Sequence, residues 1–494
     1  MTASVPDPLA AFFQVAGVER VRISVHLRSG CTRVAAAGGG RDYAMGGRGV
    51  RISDGTPRVL ALLDLLENEG APWPMPSHHA AANDNAPPPV YVEIVGAFSG
   101  LAALKYTIRV ADRVIACWIP EGTSGDAALR AVDPAIPHVL SRFAIARRDG
   151  ASLVLETSLS DARVELHDPV AHTLLAALMQ PRSVGDLCAA TGADVDVVLA
   201  FVTLLASAQL LTPVVNGAAA EDLLPQLVQW QPHDAYFHAK SRWGRREETA
   251  GLYRFPDIDP LPAVKPTMSG DIIPLVPADL VSLGESDDSF TSVLERRRSH
   301  RRYASRLTCE QLGQFLHRAA RVVRFGPPEL APYENSVRPS PSGGACHALE
   351  LYPLVYDCDG LSRALYHYDP LDHRLERLVT EPALLSQLHA SYQLDEAQWG
   401  PRQVVIIIAA RFRRSSWKYP VIAYAVALKD AGALTQTMYL VATAMGLSPC
   451  GVGVGDAELF ARTIGTDFMD ETSIAELMLG GAPALRPSES DTAS

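Results

Sequence analysis

Six prolines lie between residues 256 and 277, and a segment this rich in proline sustains neither a regular helix nor an inner β-strand. The segment predicts a linker over residues 255–279 that separates two halves of different character. A chain of 494 residues also exceeds one ordinary domain, which agrees with such a division. A shorter linker is predicted over residues 71–89, which are rich in proline and small polar residues. Its His78 and His79 have no acidic or cysteine ligand nearby, so a metal site there is not favoured.

The composition excludes several classes of protein. The chain has 44 lysines and arginines and 55 aspartates and glutamates, so its net charge is −11, the wrong sign for binding nucleic acid or an anionic membrane. No apolar run reaches the roughly 18 residues that span a bilayer, and the first residues lack the features of a secretory signal. The seven cysteines are scattered without zinc-type spacing. We therefore expect a cytoplasmic protein with no structural metal, no nucleic-acid partner and no membrane partner.

The first half contains short strands followed by three helices. In chain order these elements are predicted over residues 143–147, 152–156, 164–166, 168–178, 184–191, 194–209 and 210–214. This order predicts a winged-helix-like domain over residues 141–215. Its third helix carries two aspartates and no lysine or arginine, so it would repel the phosphates of DNA. We therefore interpret the domain as one that docks a peptide or a protein, with strands that a peptide could extend by main-chain pairing.

The residues on either side of this domain have a weaker pattern. Residues 1–140 are predicted to form an N-terminal α/β region, and one interpretation of it is a degenerate winged-helix-like unit. Its predicted elements are a helix over residues 58–67 and strands over residues 21–27, 91–95, 105–110 and 114–119. Residues 216–278 are predicted to connect the two halves, and residues 279–494 to form the last domain.

Five arginines crowd around one serine in the segment ERRRSHRRY, residues 295–303. Such crowding of like charge is costly unless an anion compensates it. The segment is therefore either a solvated basic turn or a phosphate clamp, in which arginine forks and the hydroxyl of Ser299 bind the anion. Further along, two prolines precede Ser342, Gly343 and Gly344 in a loop whose backbone could approach a flat ligand closely.

A continuous apolar strand and a long helix follow. The strand VVIIIA, residues 404–409, leads through WKY, residues 417–419, into residues 421–446. That helix is apolar nearly all round, as a buried helix at a dimer interface would be. The segment GLSPCGVGVGD, residues 446–456, has closely spaced glycines. It follows a helix rather than a strand and its spacing is not G-x-G-x-x-G, so a Rossmann-type dinucleotide site is not predicted.

In this order the motifs RRRSHRRY, RPSPSGG, the strand–WKY–helix, GLSPCGVGVGD and ELMLGG resemble the FMN-dependent nitroreductase-like family. Within it they are most similar to the SagB-type dehydrogenases, which include the azoline oxidases of ribosomally made thiazole- and oxazole-containing peptides. The resemblance covers about residues 279–487 and extends to WQPHDAYFHAKSRWG at residues 230–244. It implies an α+β fold with an antiparallel-rich sheet flanked by helices, bound FMN, and a homodimer with the flavin site at its interface.

The resemblance also implies roles for individual residues at the flavin. Arg297, Ser299 and Arg301 match the family's R-x-S-x-R phosphate clamp, with Arg298 beside them. The other residues matched to flavin contacts are Ser342, Gly343 and Gly344 in the loop, Gln436 on the long helix, Gly451, Val452 and Gly453 after it, and Arg486 as a second phosphate contact.

Lys418 and Tyr419 match the lysine–tyrosine pair of the azoline oxidases and are the predicted catalytic residues. Oxidation of an azoline removes the acidic α hydrogen as a proton and the β hydrogen as a hydride to the flavin, so the enzyme needs a base that faces the flavin ring. Both side chains have an ordinary pKa of about 10, so one pKa must be lowered. Adjacent positive charge, for which Arg411, Arg413 and Arg414 are the candidate source, would lower either pKa, and desolvation would also lower that of Lys418.

The sequence departs from the subfamily at Cys346 and His347, where Leu-Tyr is usual, at Ala433 in place of His, and at Thr437 in place of Asn. The clamp and the Lys-Tyr pair are intact. The leading interpretation is therefore an FMN-dependent azoline dehydrogenase, with an azoline-containing precursor peptide as substrate and a cyclodehydratase complex as partner. One alternative is an NAD(P)H-dependent flavin reductase of nitro compounds or quinones, which does not need the long first half. The other is a non-catalytic peptide-docking scaffold, which does not need the intact clamp.

Overall fold

The computed structural model forms two compact units, Met1–Thr249 and Ala250–Ser494. It describes residues 21–484 except 35–40, 46–47, 54–55, 74–88, 100, 122–128, 243–251, 254, 269–270, 328, 330, 393–400 and 454. The residues His78, His79 and Arg486 therefore lie outside the described part of the chain. Within that part, no helix combines the length and the apolarity needed to cross a membrane.

The first unit is built on antiparallel strands. These are β1 Val21–Leu27, β2 Thr32–Val34, β3 Arg41–Met45, β4 Arg48–Ile52, β5 Ala71–Trp73, β6 Leu104–Val110, β7 Arg113–Pro120, β8 His138–Leu140, β9 Ala144–Asp149, β10 Ser152–Thr157, β11 Ala162–Leu166, β12 Leu211–Val215 and β13 Ala218–Ala219. The described helices are α1 Pro57–Glu67, α2 Pro89–Ser99, α3 Pro169–Ala177, α4 Val184–Thr191, α5 Val195–Ser207, α6 Pro225–Val228 and α7 Pro232–Lys240. The large sheet has the order β5-β1-β6-β7-β11-β10-β9, and two smaller sheets have the orders β2-β3-β4 and β13-β12-β8.

The elements predicted between residues 143 and 214 all occur in this unit. Asp168 caps α3 by accepting the N–H of Val170 (2.9 Å), and Ser183 and Asp186 form a capping box at the start of α4. The three helices α3, α4 and α5 are followed by β12 and β13, and β12 pairs with β8, which precedes the helices in the chain. The assignment of these residues to a winged helix stays a prediction.

One predicted strand in the first unit was wrong. Residues 91–95 lie in α2 rather than in a strand, and Tyr91, Ile94 and Phe98 are buried at helical spacing along it. A short apolar run has no periodicity of its own that separates a buried strand from a buried helix, and the sequence offered only such a run.

The boundary predicted between residues 140 and 141 lies inside the first unit. Strand β7 pairs with β11, with Cys117 opposite Glu165, so the large sheet continues across that position. One apolar core extends from Val21 to Leu211. Residues on both sides of the predicted boundary therefore fold around the same core.

The second unit contains another antiparallel sheet. Its strands are β14 Asp271–Pro274, β15 Arg324–Phe325, β16 Ser336–Val337, β17 Leu349–Val355, β18 Ala364–Asp369, β19 Arg374–Arg377, β20 Val404–Arg411, β21 Ser448–Val452 and β22 Glu471–Gly480. Its described helices are α8 Leu280–Ser286, α9 Phe290–Arg296, α10 Cys309–Ala320, α11 Pro382–Ser391, α12 Phe412–Lys418, α13 Ala423–Ala444 and α14 Ala457–Ile464. The sheet has the order β14-β19-β18-β17-β20-β22-β21.

Helices cover both faces of this sheet. Ile406 and Ile408 of β20 face a core that they share with α10 and α13, whereas Val405 and Ile407 face a second core with α11 and α14. A strand buried on both faces has a continuous apolar sequence rather than an alternating one, which is the pattern of VVIIIA. The predicted α+β class, with an antiparallel sheet flanked by helices, is confirmed.

The proline-rich segment, predicted as a linker over residues 255–279, is part of the second unit rather than a separator between the two units. All of it belongs to the second unit, where β14 pairs with β19 and the N–H of Ala263 donates to the carboxylate of Glu334 (2.7 Å). Strand β14 lies at the edge of its sheet and ends at Pro274. A proline at the edge of a sheet leaves no central ladder position without its N–H, so the segment can pack despite its prolines.

A row of ionisable side chains crosses the second sheet. His367 on β18 lies 3.2 Å from both Glu350 on β17 and Glu376 on β19, and Arg411 at the end of β20 lies 3.1 Å from Glu350. Burial opposes a charged imidazole, but the hydrogen bonds to the two glutamates outweigh it and raise the pKa of His367 to about 8. Burial likewise opposes a charged carboxylate, but the hydrogen bond from His367 and the nearby cations lower the pKa of Glu350 to about 2.

The stability of the second unit should therefore fall on both sides of neutral pH. The pKa of His367 is raised above its ordinary 6.5, so its contribution is complete below pH 6.5 and is lost as the pH rises through about 8. The pKa of Glu350 is lowered from 4.5, so its contribution is present above pH 4.5 and is lost as the pH falls towards about 2. Between pH 6.5 and 9 we expect a loss of about 2 kcal/mol.

Hydrogen exchange of the amides in β17 and β18, corrected for the intrinsic rate, measures this loss. The variant His367→Asn is the control, because it removes the titrating ring and keeps a polar side chain. It should be less stable than the wild type at pH 6.5 but should lack the alkaline decline. An alkaline decline of the same size in the variant would contradict the assignment to His367.

Candidate active site

The basic turn that follows α9 contacts both α13 and β21 through Tyr439. The hydroxyl groups of Ser299 and Tyr439 are hydrogen bonded (2.8 Å), and the N–H of Gly451 donates to the Tyr439 oxygen (2.6 Å). The guanidinium of Arg297 lies 5.5 Å from the centre of the Tyr439 ring. Three segments that are far apart in the sequence therefore meet at one phenol, and two predicted clamp residues and one predicted glycine are among them.

The charges of this turn suit an anion. Arg296 pairs with Asp288, whereas Arg297 has no carboxylate partner among the described residues. Arg297 and Ser299 are half-buried, and Arg298 and Arg301 are exposed. A phosphate group at this turn would meet the Arg297 guanidinium and the Ser299 hydroxyl, which are the donor types that phosphate sites use.

The loop at Ser342, Gly343 and Gly344 is held by Asp430, a buried residue of α13. The Ser342 hydroxyl donates to the Asp430 carboxylate (2.6 Å), and the N–H of Gly343 donates to the same carboxylate (3.0 Å). The Ser342 oxygen also accepts the N–H of His347 (2.9 Å). Burial raises the pKa of Asp430, and the hydrogen bonds from the Ser342 hydroxyl and the Gly343 N–H oppose that rise. The carboxylate therefore fixes the glycine loop to the same helix that carries Tyr439.

Gly344 is the point where the loop meets the predicted catalytic pair. Its φ is +61°, and a Cβ there would overlap the ammonium of Lys418 and lie 2.6 Å from the hydroxyl of Tyr419. Gly344 is exposed, and Lys418 and Tyr419 at the end of α12 are half-buried, so this side is open to a ligand. A side chain at this position would meet both a strained backbone and an occupied space, which is a physical reason for glycine here.

The environment of Tyr419 does not lower the pKa of its phenol. Burial raises the pKa of Tyr419 rather than lowering it. Arg411 forms its ion pair with Glu350 (3.1 Å), and Arg413 lies 4.0 Å from Asp470. The sequence left open which of the two pKa values is lowered, and for Tyr419 the shift is upward.

Arg414, the third of these arginines, fixes three loops instead. Its guanidinium donates to the carbonyl oxygens of Cys346 (2.5 Å), Glu334 (2.6 Å) and Leu261. Burial lowers the pKa of this guanidinium to about 10. A cation whose donors are all directed at backbone carbonyls holds the walls of the site in place.

The remaining predicted residues are less enclosed. Gln436 is exposed on α13, three residues before Tyr439 and on the same face of the helix. The N–H of Gly451 is hydrogen bonded to the Tyr439 oxygen, and Gly453, which follows Val452, is exposed. The structure thus brings the predicted residues into two groups, one around Tyr439 and one around Gly344. Helix α13 carries Asp430, which holds the Gly344 loop, and Tyr439. These two residues are nine positions apart, which corresponds to about 13 Å along a helix.

A family model described as the nitroreductase family matches residues 294–480, which contain all of these groups. The nitroreductase-family protein MJ1384 of Methanocaldococcus jannaschii is 31% identical over 162 residues, which are 33% of this chain and 76% of that protein. The chain belongs to the nitroreductase family. That family consists of oxidoreductases, so the protein is assigned to that class of enzyme. The family resemblance identified from the sequence is confirmed.

Other similarities extend to the first unit and to peptide-processing proteins. A model described as the cyanobactin oxidase ThcOx matches residues 138–247. The trifolitoxin-processing protein TfxB of Rhizobium leguminosarum bv. trifolii is 33% identical over 110 residues, which are 22% of this chain and 30% of that protein. The match thus spans less than a third of the length of TfxB.

Two solved structures match about half of the chain each. A nitroreductase-family protein from Ralstonia eutropha JMP134 is 21% identical, with a TM-score of 0.33, and the match covers 46% of this chain and 96% of that one. A chain of the E. coli microcin synthetase McbBCD complex is 19% identical, with a TM-score of 0.32, and the match covers 51% of this chain and 92% of that one.

Three residues of the candidate active site were not singled out from the sequence. Tyr439 joins the basic turn to β21, Asp430 holds the glycine loop, and Tyr333 contacts Lys418. Asp430 did carry a signal, because it is the one acid in a mostly apolar helix, and a buried acid needs a partner. The two tyrosines carried none, since a tyrosine in a mixed segment is common in any core.

Proposed function

We propose that the protein is an FMN-dependent dehydrogenase that oxidises azoline rings, thiazoline or oxazoline, to azoles in a ribosomally made peptide. The observation that carries the proposal is the contact of Lys418 and Tyr419 with Gly344 on an open side of the protein. A base beside a loop that the family resemblance assigns to the flavin is what the chemistry requires. The match of residues 138–247 to a cyanobactin oxidase model and the relationship to a trifolitoxin-processing protein support a peptide substrate.

The residues of the site suggest how the cofactor would be held. Arg297 and Ser299 would bind the phosphate of FMN, with Arg301 and Arg298 adding positive charge. Gly343 and Gly344 would let the ring system approach the backbone, because neither carries a side chain. FMN, when bound, supplies the acceptor for a hydride. The cations of the turn fit one phosphate group, so the proposal specifies FMN.

The part of the reaction assigned to the protein is removal of the α proton. The azoline ring loses one hydrogen from its α carbon as a proton and one from its β carbon with both bonding electrons, and the ring gains a double bond. The proton would pass to Lys418 Nζ or to the Tyr419 oxygen, which both lie at Gly344. The Tyr333 ring lies 4.8 Å from the amine and packs in turn against Trp417, so one side of the amine faces aromatic side chains.

The first unit would bind the substrate peptide or dock the cyclodehydratase that forms the azolines. Strand β9 lies at one edge of its large sheet, so an extended peptide could add to it by main-chain pairing. The first unit also contains the residues that match the cyanobactin oxidase model. The role proposed for this unit is therefore recruitment of the peptide rather than chemistry.

The functional form would be a homodimer. Tyr424 and Leu428 are exposed at helical spacing at the start of α13, and the exposed side chain of Val421 lies in the turn just before it. An exposed apolar stripe on a long helix is the kind of surface that a second copy covers. The same helix carries Asp430 and Tyr439, so a dimer formed there would bring the partner close to the proposed flavin site.

Mass spectrometry of a synthetic peptide with a single thiazoline or oxazoline tests the proposed function. Incubation with the FMN-loaded protein in air should remove two hydrogens from each azoline ring and leave a peptide that lacks the ring unchanged. The same protein should be assayed with NADH or NADPH and a nitroaromatic or a quinone. Rapid reduction of those compounds without any azole formation would overturn the proposal in favour of a flavin reductase.

A further inference from the structure

The phenol of Tyr333 lies between Gly344 and Lys418. Tyr333 is only 7% exposed, and its hydroxyl lies 2.5 Å from the carbonyl oxygen of Gly344 and 2.5 Å from Lys418 Nζ. A carbonyl oxygen only accepts hydrogen bonds and a phenol has a single proton, so Tyr333 donates that proton to Gly344. The contact with Lys418 must then have the amine as donor and the phenol oxygen as acceptor.

This arrangement fixes the direction of the amine. The carbonyl oxygen of Gly344 is also 3.5 Å from Lys418 Nζ, so both acceptors lie on the same side of the nitrogen. A neutral amine has two N–H groups and one lone pair. When both N–H groups point at Tyr333 and Gly344, the lone pair points away from them. Only a lone pair can take a proton, so the direction of these hydrogen bonds decides where Lys418 can act as a base.

The Tyr333 ring is itself held in place by groups fixed to the backbone. The guanidinium of Arg414 lies 6.0 Å from its centre, and the ring of Trp417 also lies 6.0 Å away. The Trp417 indole N–H donates to the carbonyl oxygen of Ile258 (2.5 Å), and Lys418 Nζ lies 4.8 Å from the Tyr333 ring centre. Burial raises the pKa of Tyr333, so the phenol keeps its proton.

We propose that Tyr333 is a positioning residue that orients the Lys418 amine for abstraction of the α proton, an inference that rests on the proposed function. A free lysine side chain samples many rotamers, at a cost of about 2 kcal/mol when it is fixed in one. Tyr333 removes that freedom before the substrate binds. Its oxygen does not itself accept the substrate proton, because it already accepts a hydrogen bond from the amine.

The test compares Tyr333→Phe with Tyr253→Phe in the full-length, FMN-loaded protein. Tyr253 packs in the same aromatic cluster, 6.4 Å from the Tyr333 ring, but its hydroxyl makes no hydrogen bond with the described residues. With a synthetic single-thiazoline peptide, Tyr333→Phe should lower kcat about 10- to 100-fold, because misplacement of a catalytic group by about 1 Å has effects of that size. The KM and the flavin content should stay within twofold of the wild type, and Tyr253→Phe should match the wild type throughout.

Deuterium at the α carbon of the peptide gives a readout that loss of packing alone would not change. If Tyr333 orients the base, the isotope effect on kcat should rise in Tyr333→Phe, because proton abstraction becomes the slow step. A wild-type kcat and isotope effect in Tyr333→Phe, together with an inactive Lys418→Ala, would overturn this inference and leave the proposed function intact.

A second measurement tests the contact without any azoline turnover. Acetic anhydride should acetylate Lys418 several-fold faster in Tyr333→Phe than in the wild type, because the hydrogen bond to Tyr333 must break before the amine attacks. The exposed Lys429 of α13 is the internal reference and should react equally in both. If the wild-type protein forms no azole, the proposed function fails, and equal acetylation of Lys418 in the two proteins would overturn the positioning role as well.

Discussion

Replacing Lys418 with alanine should abolish most azole formation while FMN stays bound. Removal of a general base typically lowers a rate about 10²- to 10⁴-fold. The flavin should be retained because Lys418 lies at Gly344, in the group of residues separate from Arg297 and Tyr439. Initial rates of azole formation, measured by mass spectrometry, and flavin absorbance in the same preparation check the two parts of this result.

Tyr419→Phe separates the two members of the pair. The phenylalanine keeps the ring against Lys418 and removes only the hydroxyl near Gly344. A loss as large as that of Lys418→Ala would mean that both groups take part in proton transfer. Lys429→Ala is the matched control, since this lysine is exposed on α13, and it should leave the rate unchanged. Wild-type rates in both Lys418→Ala and Tyr419→Phe would remove the pair from the mechanism.

Replacing both Arg297 and Arg301 with alanine should release the flavin. A hydrogen bond to a charged group contributes about 1.5 to 3 kcal/mol, so each arginine lost should weaken FMN binding about 10- to 100-fold. The purified variant should be colourless, whereas the wild type should be yellow. The dissociation constant is measured by titrating FMN into apoprotein and following the quenching of flavin fluorescence.

Arg296→Ala is the control for the clamp. It removes an arginine from the same turn, but that arginine pairs with Asp288 on the surface. An exposed pair of this kind contributes little, and its loss should leave FMN bound with wild-type affinity. Full flavin absorbance in the Arg297→Ala, Arg301→Ala double variant would contradict the assignment of the phosphate to this turn.

The second unit was predicted well from the sequence because its signals are local. The strand at residues 404–409 has a continuous apolar sequence, and Thr308 before α10 forms a capping box with Gln311. The first unit was predicted less completely. The strand expected at residues 91–95 proved to be helical, and the pairing of β7 with β11 depends on register between segments that no local pattern connects.

The site was predicted as a set of motifs but not as an arrangement. The residues of the clamp, the glycine loop and the catalytic pair each lie within a short stretch of sequence, so their identity could be read directly. The partners that hold them come from elsewhere: Tyr333 is 85 positions from Lys418, and Asp430 is 88 positions from Ser342. Such pairs form only when helices and strands pack, and a single sequence contains no record of that packing.

The large sheet of the first unit has a consequence for synthesis of the chain on the ribosome. Strand β1 pairs with β6, with Val21 opposite Val110, and β7 finds its second neighbour only in β11, where Ala116 lies opposite Leu166. The edges of the early strands therefore stay unpaired until the later strands have been synthesised. Pairings between strands so far apart in the sequence also form slowly. An open strand edge can pair with another chain just as well as with its own. For the first unit, the competition between folding and aggregation is thus greatest before residue 166 leaves the exit tunnel.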